Sequence, residues 1–327
     1  MKKVVFSALG WAAGGVFGWM VLRSVDWGEA VEGMRRVDWG AAFMAVAAVA
    51  FAHYLKAHRW KLLLPGEKIS AGRLFLVRNV GAGLHTVSPL RGVSEIAQIT
   101  LLTQRDGVRT PKVLASFLVG HLLDLVVSAN IVAVGLFMLP PLAPYRPLVM
   151  GIAGGSALAF VLSPILARRI SGTGLVQRRR LARETLEAIQ AAHASKRGLA
   201  ASLALTALGW MYIGLAAWLV SEAMGIGLPF WTIAVLIVTI VRFSGLIPAP
   251  LAIVGVYEAV AVSALGVFGV APSLALSFAL VTHAIIYLPP VLIAALVLVV
   301  ERSAWVKGLD AAMAPLRLKR HSPTASP

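Results

Sequence analysis

The sequence predicts an all-α polytopic membrane protein: about six full spans plus two Pro/Gly-broken hairpins, arranged as an inverted-topology repeat. Three observations carry that expectation. The 327-residue chain is 59% hydrophobic and 13% charged, where soluble domains carry about 25% charged residues. Several apolar runs approach or exceed the ~20 residues that cross a hydrocarbon core. The basic residues fall in short segments between those runs, as the positive-inside rule expects. That dispersal also sets aside a nucleic-acid face, despite a net charge of +16. The chain has no cysteine, which excludes disulfides, thiolate nucleophiles and Cys-ligated metals.

Full spans are expected near 4–22, 40–58, 113–139, 148–167, 199–221 and 273–300. The first has a basic start like a signal peptide. Its apolar run is longer than a usual h-region and no small-residue cleavage site follows closely, so a retained helix is expected. Gly10, Gly14 and Gly18 recur within it at a spacing that suits close helix packing.

Loop charge sets the orientation. Segment 23–39 mixes both signs and reads as external. Lys56, Arg59, Lys61, Lys68 and Arg73 read as a cytoplasmic loop, as do 105–112 and the arginine-rich 168–197. The last reads either as a basic amphipathic helix, with Leu181, Leu186 and Ile189 on its apolar side, or as a solvated linker. Residues 301–327 read as a disordered cytoplasmic tail. The whole chain, 1–327, is thus expected to be one multi-pass domain of the cytoplasmic (inner) membrane with both termini cytoplasmic.

Two apolar pairs, 74–104 and 230–268, are interrupted by "SPLRG" (88–92) and "GLIPAPLAIVG" (245–255). The arm 93–104 is too short to cross comfortably, which favours a re-entrant hairpin. The arms of the second pair could each cross, so both readings stand there. "GVSE" (92–95) matches "GVYE" (255–258), and Val119-x-His121 matches Val281-x-His283. Both halves, approximately 40–139 and 199–300, read as span, broken hairpin, span, entered from opposite sides. That pattern is an inverted repeat, common in secondary transporters.

Charge is costly at membrane depth, about 2.5–3.5 kcal/mol per residue on insertion scales, so the intramembrane charges are the candidate site. Arg91 and Arg242 would attract an anion such as phosphate, helped by the N–H groups of half-helices that begin at the hairpin tips. The tip residues are Ser88, Pro89, Gly92, Gly245, Pro248, Pro250 and Gly255. Glu95 and Glu258 lie just inside the second arms, where they could relay protons, bind a cationic group or neutralise the arginines. A folded-back second hairpin would bring Arg242 and Glu258 to one cavity. His121, Asp124 and Ser128 share one helix face, either as a headgroup-binding stripe or as glue between helices. His283 and Tyr287 form a similar stripe, with Ile286 in the slot of Asp124. Signatures of metalloproteases, serine hydrolases and P-loop enzymes are missing, and no cofactor or metal is expected.

These residues resemble a known family. "HRWKLLL" (58–64), "SPLRGVSEIAQITLL" (88–102), "GHLLDLV" (120–126) and "IPAPLAIVGVYEA" (247–259) are similar to the signatures of the lysylphosphatidylglycerol synthase transmembrane, or flippase-like, domain family. The chain departs from that pattern at Gly120, where a Glu is expected, and at His121 and Gln98, where arginines are expected. The resemblance implies a stand-alone membrane domain without the aminoacyl-transferase domain, acting on membrane lipids.

The function expected is a flippase or transporter for an anionic or polyprenyl-linked lipid, its headgroup bound between the hairpin tips. An intramembrane headgroup transferase and a scaffold for a lipid-synthesising enzyme are the alternatives. Polar groups in both halves, reached from opposite sides, favour transport over catalysis. Membrane lipids are the expected partners, with a lipid-synthesising enzyme as a further candidate.

Overall fold

The computed structural model describes residues 26–35, 38–87, 92–173, 179–246 and 253–301. Within them every regular element is a helix, and there are no strands. In order, the helices are α1 (Trp27–Arg35), α2 (Trp39–Leu62), α3 (Ala71–Val87), α4 (Val93–Thr100) running into a π-helical turn at Leu101–Arg105, and α5 (Thr110–Met138). A short 3-10 turn leads to α6 (Arg146–Ser171), followed by α7 (Arg180–Ala194), α8 (Lys196–Ala223), α9 (Phe230–Leu246), α10 (Ile253–Gly266) and α11 (Pro272–Val300).

Five of these helices are long and apolar enough to cross a membrane: those at 39–62, 110–137, 143–171, 196–223 and 272–300. The span expected at 4–22, the break residues Ser88, Pro89, Arg91, Pro248 and Pro250, and the tail beyond Glu301 lie outside the described residues.

Helix ends follow local chemistry. Asp38 caps α2 by accepting from the Ala41 N–H, and Ser195 caps α8 by accepting from the Gly198 N–H. Pro111 and Pro272 sit in the first turns of α5 and α11, where their missing N–H costs nothing. At the far end of α5, Arg146 Nε donates to the Leu136 carbonyl, one of the last carbonyls without a helical partner.

Helices α2 and α8 form the most extensive pairing; α3 lies along α11, and α9 packs on α8, α10 and α5. Small residues permit the close approaches. A Cβ added at Gly83 would stand 2.6 Å from the Pro290 carbonyl oxygen, so α3 meets α11 backbone to backbone where two prolines interrupt the α11 ladder.

Polar clusters mark the two ends of the bundle. At one end Arg73, which opens α3, donates from Nε to both Asp106 oxygens (3.0 and 2.9 Å) and through its other nitrogens to Glu301 (2.6 and 3.0 Å). Arg105 also pairs with Glu301, and Lys112 bridges to Glu67 at 2.7 Å. The α3–α4 pair therefore begins and ends at this same end. At the other end α1 lies on α11: Ser273 Oγ donates to Glu29, and Ser277 Oγ donates to the Ala30 carbonyl. The α9–α10 pair attaches there, between the end of α8 and the start of α11.

Three sequence expectations need correction here. Lys56 and Arg59 are not loop charges: α2 continues to Leu62 and both are buried, 5% and 4% exposed. Gly245 lies in the last turn of α9 and not in the break. In the third only the bounds change: the amphipathic helix expected in the basic segment 168–197 forms over Arg180–Ala194. The first residues of the segment finish α6, and α7 packs Thr185, Ile189 and Ala192 against the protein, touching α5 and α6, while Leu181 is exposed.

Candidate functional site

A polar cavity of about 330 Å3 opens among α2, α3, α4, α5, α8 and α9. Its chemistry is set by four cations, Lys56, Arg59, Arg78 and Arg242, gathered around one central carboxylate, Asp124. The helical period explains the convergence. Lys56 and Arg59 are three apart, and so are His121 and Asp124, which puts each pair on one face of its helix.

Arg59 Nη1 pairs with Asp124 Oδ2 at 2.9 Å and donates to Thr206 Oγ1 at 3.3 Å. Lys56 Nζ stands 3.7 Å from Asp124 Oδ1, an ion pair beyond hydrogen-bond length. Arg242 Nη2 donates to the Asp124 backbone carbonyl. The Trp210 ring lies between two of the cations, with Lys56 Nζ 4.0 Å and the Arg242 guanidinium 4.8 Å from its centroid, which partly replaces lost hydration.

A second tier fixes these groups. Trp60 Nε1 donates to Ser116 Oγ at 2.8 Å, tying α2 to α5. The Asn79 amide nitrogen donates to Phe75 O, so its oxygen is left to accept from His53 Nδ1 at 3.0 Å, tying α2 to α3. Gly81 gives Gln98 its place, since a Cβ there would fall 2.0 Å from Gln98 Nε2.

The charges do not balance. Glu95, at the wall, is held by a 2.6 Å hydrogen bond from Ser94, so two carboxylates face four cations. The buried Nε atoms of Arg59, Arg78 and Arg242 have no hydrogen-bond partner. Buried polar atoms are rarely left so, and an oxyanion supplies both the missing acceptors and the missing charge. His85 and His121 are exposed and line the cavity, which opens beside them.

Of the residues singled out from sequence, the structure brings Glu95, His121, Asp124 and Arg242 to this cavity. His121 and Asp124 are not bonded to each other; His121 Nδ1 donates to Phe117 O, and Ser128 Oγ donates to Leu125 O. Arg91 lies outside the described residues. Glu258 does not line the cavity and does not meet Arg242. It is buried, 3% exposed, with one oxygen 2.6 Å from His283 Nδ1 and the other accepting from the Gly255 N–H at 2.6 Å. The geometry is local: Gly255 takes the left-handed φ of +98°, and Glu258 reaches back three residues to it. Gly92, before α4, shares the left-handed backbone with φ +88° but receives no side-chain cap. Tyr257 and Tyr287 enclose the Glu258–His283 pair, and Tyr257 Oη donates to Thr282 Oγ1.

Sequence reasoning missed Lys56, Arg59, Arg78 and Trp210. Arg59 carried a signal, since it stands in "HRWKLLL". Arg78 carried one too, as a charge inside an apolar arm. Trp210 carried none.

A helical bundle whose apolar spans enclose a cluster of buried charges is an integral membrane protein, and those charges mark its candidate site. The family is shown directly: the model for the lysylphosphatidylglycerol synthase TM region matches residues 4–294, and the chain belongs to that family. No curated protein matches the chain. The motifs "HRWKLLL", "SPLRGVSEIAQITLL" and "GHLLDLV" thus meet at one site through Arg59, Glu95 with Gln98, and Asp124. At Gly120 a Cβ would lie 3.4 Å from Arg59 Nη2, so the glycine lets the guanidinium lie close against α5.

Proposed function

We propose that this protein moves an anionic or lipid-linked substrate across the cytoplasmic membrane, with the phosphate of the headgroup held by Arg59, Arg78, Arg242 and Lys56. The observation that carries the reading is the excess of buried cations, three of them with unpartnered Nε atoms, in a cavity within membrane-spanning helices. Family membership supports a lipid-related role. A scaffold has no need of such a cavity, and buried unpaired charge is too costly to keep without use.

The order of elements in the two halves, which we read as an inverted repeat, supports transport over headgroup transfer. Each half runs long helix, broken pair, long helix, and the two pairs attach at opposite ends of the bundle. The contacts cross over in the same way, with α3 of the first pair on α11 and α9 of the second on α5. We read both pairs as re-entrant hairpins, because α3 and α9 have 17 residues each, about 25 Å at 1.5 Å per residue. The end that carries Arg73, Arg105, Lys112 and the arginines of α7 is assigned to the cytoplasm.

Reconstitution tests the activity. Vesicles holding the purified protein should exchange fluorescent phosphatidylglycerol between leaflets faster than protein-free vesicles, and exchange phosphatidylcholine no faster. Equal rates with and without protein would remove transport and leave the scaffold reading. Orientation is read separately in the cysteine-free chain: Tyr145→Cys should react with an impermeant maleimide from outside, and Arg180→Cys only after lysis. The reverse pattern would invert the assignment.

A further inference from the structure

Beside the cationic cavity the bundle carries a second, apolar groove of about 370 Å3, walled by α5, α8 and α9. The same three helices wall the cavity. Along α5 the lining passes from Asp124 to Val126 and on to Val134, and along α9 from Arg242 back to Val235 and Trp231; on α8 the groove residues Ala207 and Met211 flank Trp210. Among the described lining residues Asn130 carries the one amide side chain, and its amide nitrogen is engaged by donating to Val126 O. Val134 and Trp231 are more than half exposed, so the groove is open on its outer side.

Polar and apolar linings thus follow one another along α5 in the order of the parts of an amphiphile. We propose that the groove holds the hydrocarbon tail of the anionic lipid whose headgroup fills the cavity. The inference rests on the headgroup site proposed above and names what that reading left open, namely that one site binds head and tail together. It also fixes the polarity of the bound lipid. Thr110, which starts α5, lies at the end carrying the Glu67–Lys112 pair, and the head site at Asp124 is nearer to it than the groove. The lipid therefore sits head toward that end and tail away from it.

Two probes test this: phosphatidylglycerol and phosphatidylcholine carrying the same photoactivatable diazirine at the tail end. Labelling at Met211 and Trp231 is compared with labelling at Leu158 and Val161, which are exposed on α6. The expected result is a groove-to-α6 ratio about tenfold higher for phosphatidylglycerol, the least that one charge-assisted hydrogen bond supplies. Arg78→Met should bring the two lipids level, and Val134→Trp, which fills the groove, should remove the excess at Met211. The headgroup site is read independently by protection of Ala82→Cys, in the cavity wall, from a water-soluble maleimide. Protection by phosphatidylglycerol without preferential groove labelling would overturn the tail site and leave the headgroup site standing. Failure of protection would count against the headgroup site itself. A crosslink from Val134→Cys to a cysteine placed in 4–22 would show that the chain's own apolar stretch fills the groove, and would also overturn the proposal.

Discussion

The two halves of the protein carry the same pair of groups at nearly the same spacing and use them in opposite ways. Glu95 and His121 in the first half stand apart on the lining of an open cavity. Glu258 and His283 in the second half bind each other at 2.6 Å, enclosed by Tyr257 and Tyr287. The difference traces to one position. The first half has Asp124 three residues after its histidine, and the second has Ile286. A carboxylate at that place can gather cations from α2, α3 and α9. An isoleucine cannot, so the second glutamate satisfies its lone pairs locally, on Gly255 and His283. The first half leaves its cations in excess, and the second pairs its own charge.

This contrast can be broken by substitution. Asp124→Leu has the largest expected effect, because it strands four cations in the bundle. Removal of one partner from a buried ion pair costs about 3–5 kcal/mol, and chemical denaturation of the purified protein should show a loss of at least that order. A variant as stable as the parent would mean that the cations are not held together by Asp124.

Glu258→Gln should cost less, about 1–3 kcal/mol, because the amide keeps one acceptor for the Gly255 N–H but loses the charged bond to His283. Its binding of phosphatidylglycerol should match the parent. Weakened binding at unchanged stability would place Glu258 in the ligand site and erase the distinction between the halves.

Arg78→Met should have the smallest effect on stability, because its loss relieves repulsion with Arg59 while Asp124 keeps Arg59 and Lys56 as partners. A large destabilisation in the same denaturation experiment would give Arg78 a structural role that its unpartnered Nε does not suggest.

Much of the fold was legible in the sequence because bilayer physics is written locally. Long apolar runs gave the spans described here, and the Pro/Gly breaks that contain Gly92 and Gly255 marked where the second arms begin, both glycines taking a left-handed backbone. The site was half legible. Asp124 and Arg242 declared themselves as charges inside apolar helices. Lys56 and Arg59 did not, because hydropathy falls after Ala57 and a basic residue there reads as loop. Yet Ala52, Leu55, Lys56 and Arg59 follow the helical period, and the carboxylate that makes burial tolerable lies on another helix, out of sight of a local reading. Arg242 was expected to meet Glu258 across the nearby break. It instead reaches back to α5, a long-range packing outcome that the sequence around the break does not encode.

The central claim is that the cations around Asp124 form a binding site for an anionic headgroup, and equilibrium binding to the purified protein tests it most directly. The measurement compares phosphatidylglycerol with phosphatidylcholine on the parent and on Arg78→Met, in the same detergent. The account predicts that the parent prefers phosphatidylglycerol, and that Arg78→Met, though stably folded, loses about 10- to 150-fold of that affinity, the equivalent of one hydrogen bond to a charged group. Equal affinity of the parent for the two lipids, or an Arg78→Met variant that binds phosphatidylglycerol as tightly as the parent does, would contradict it.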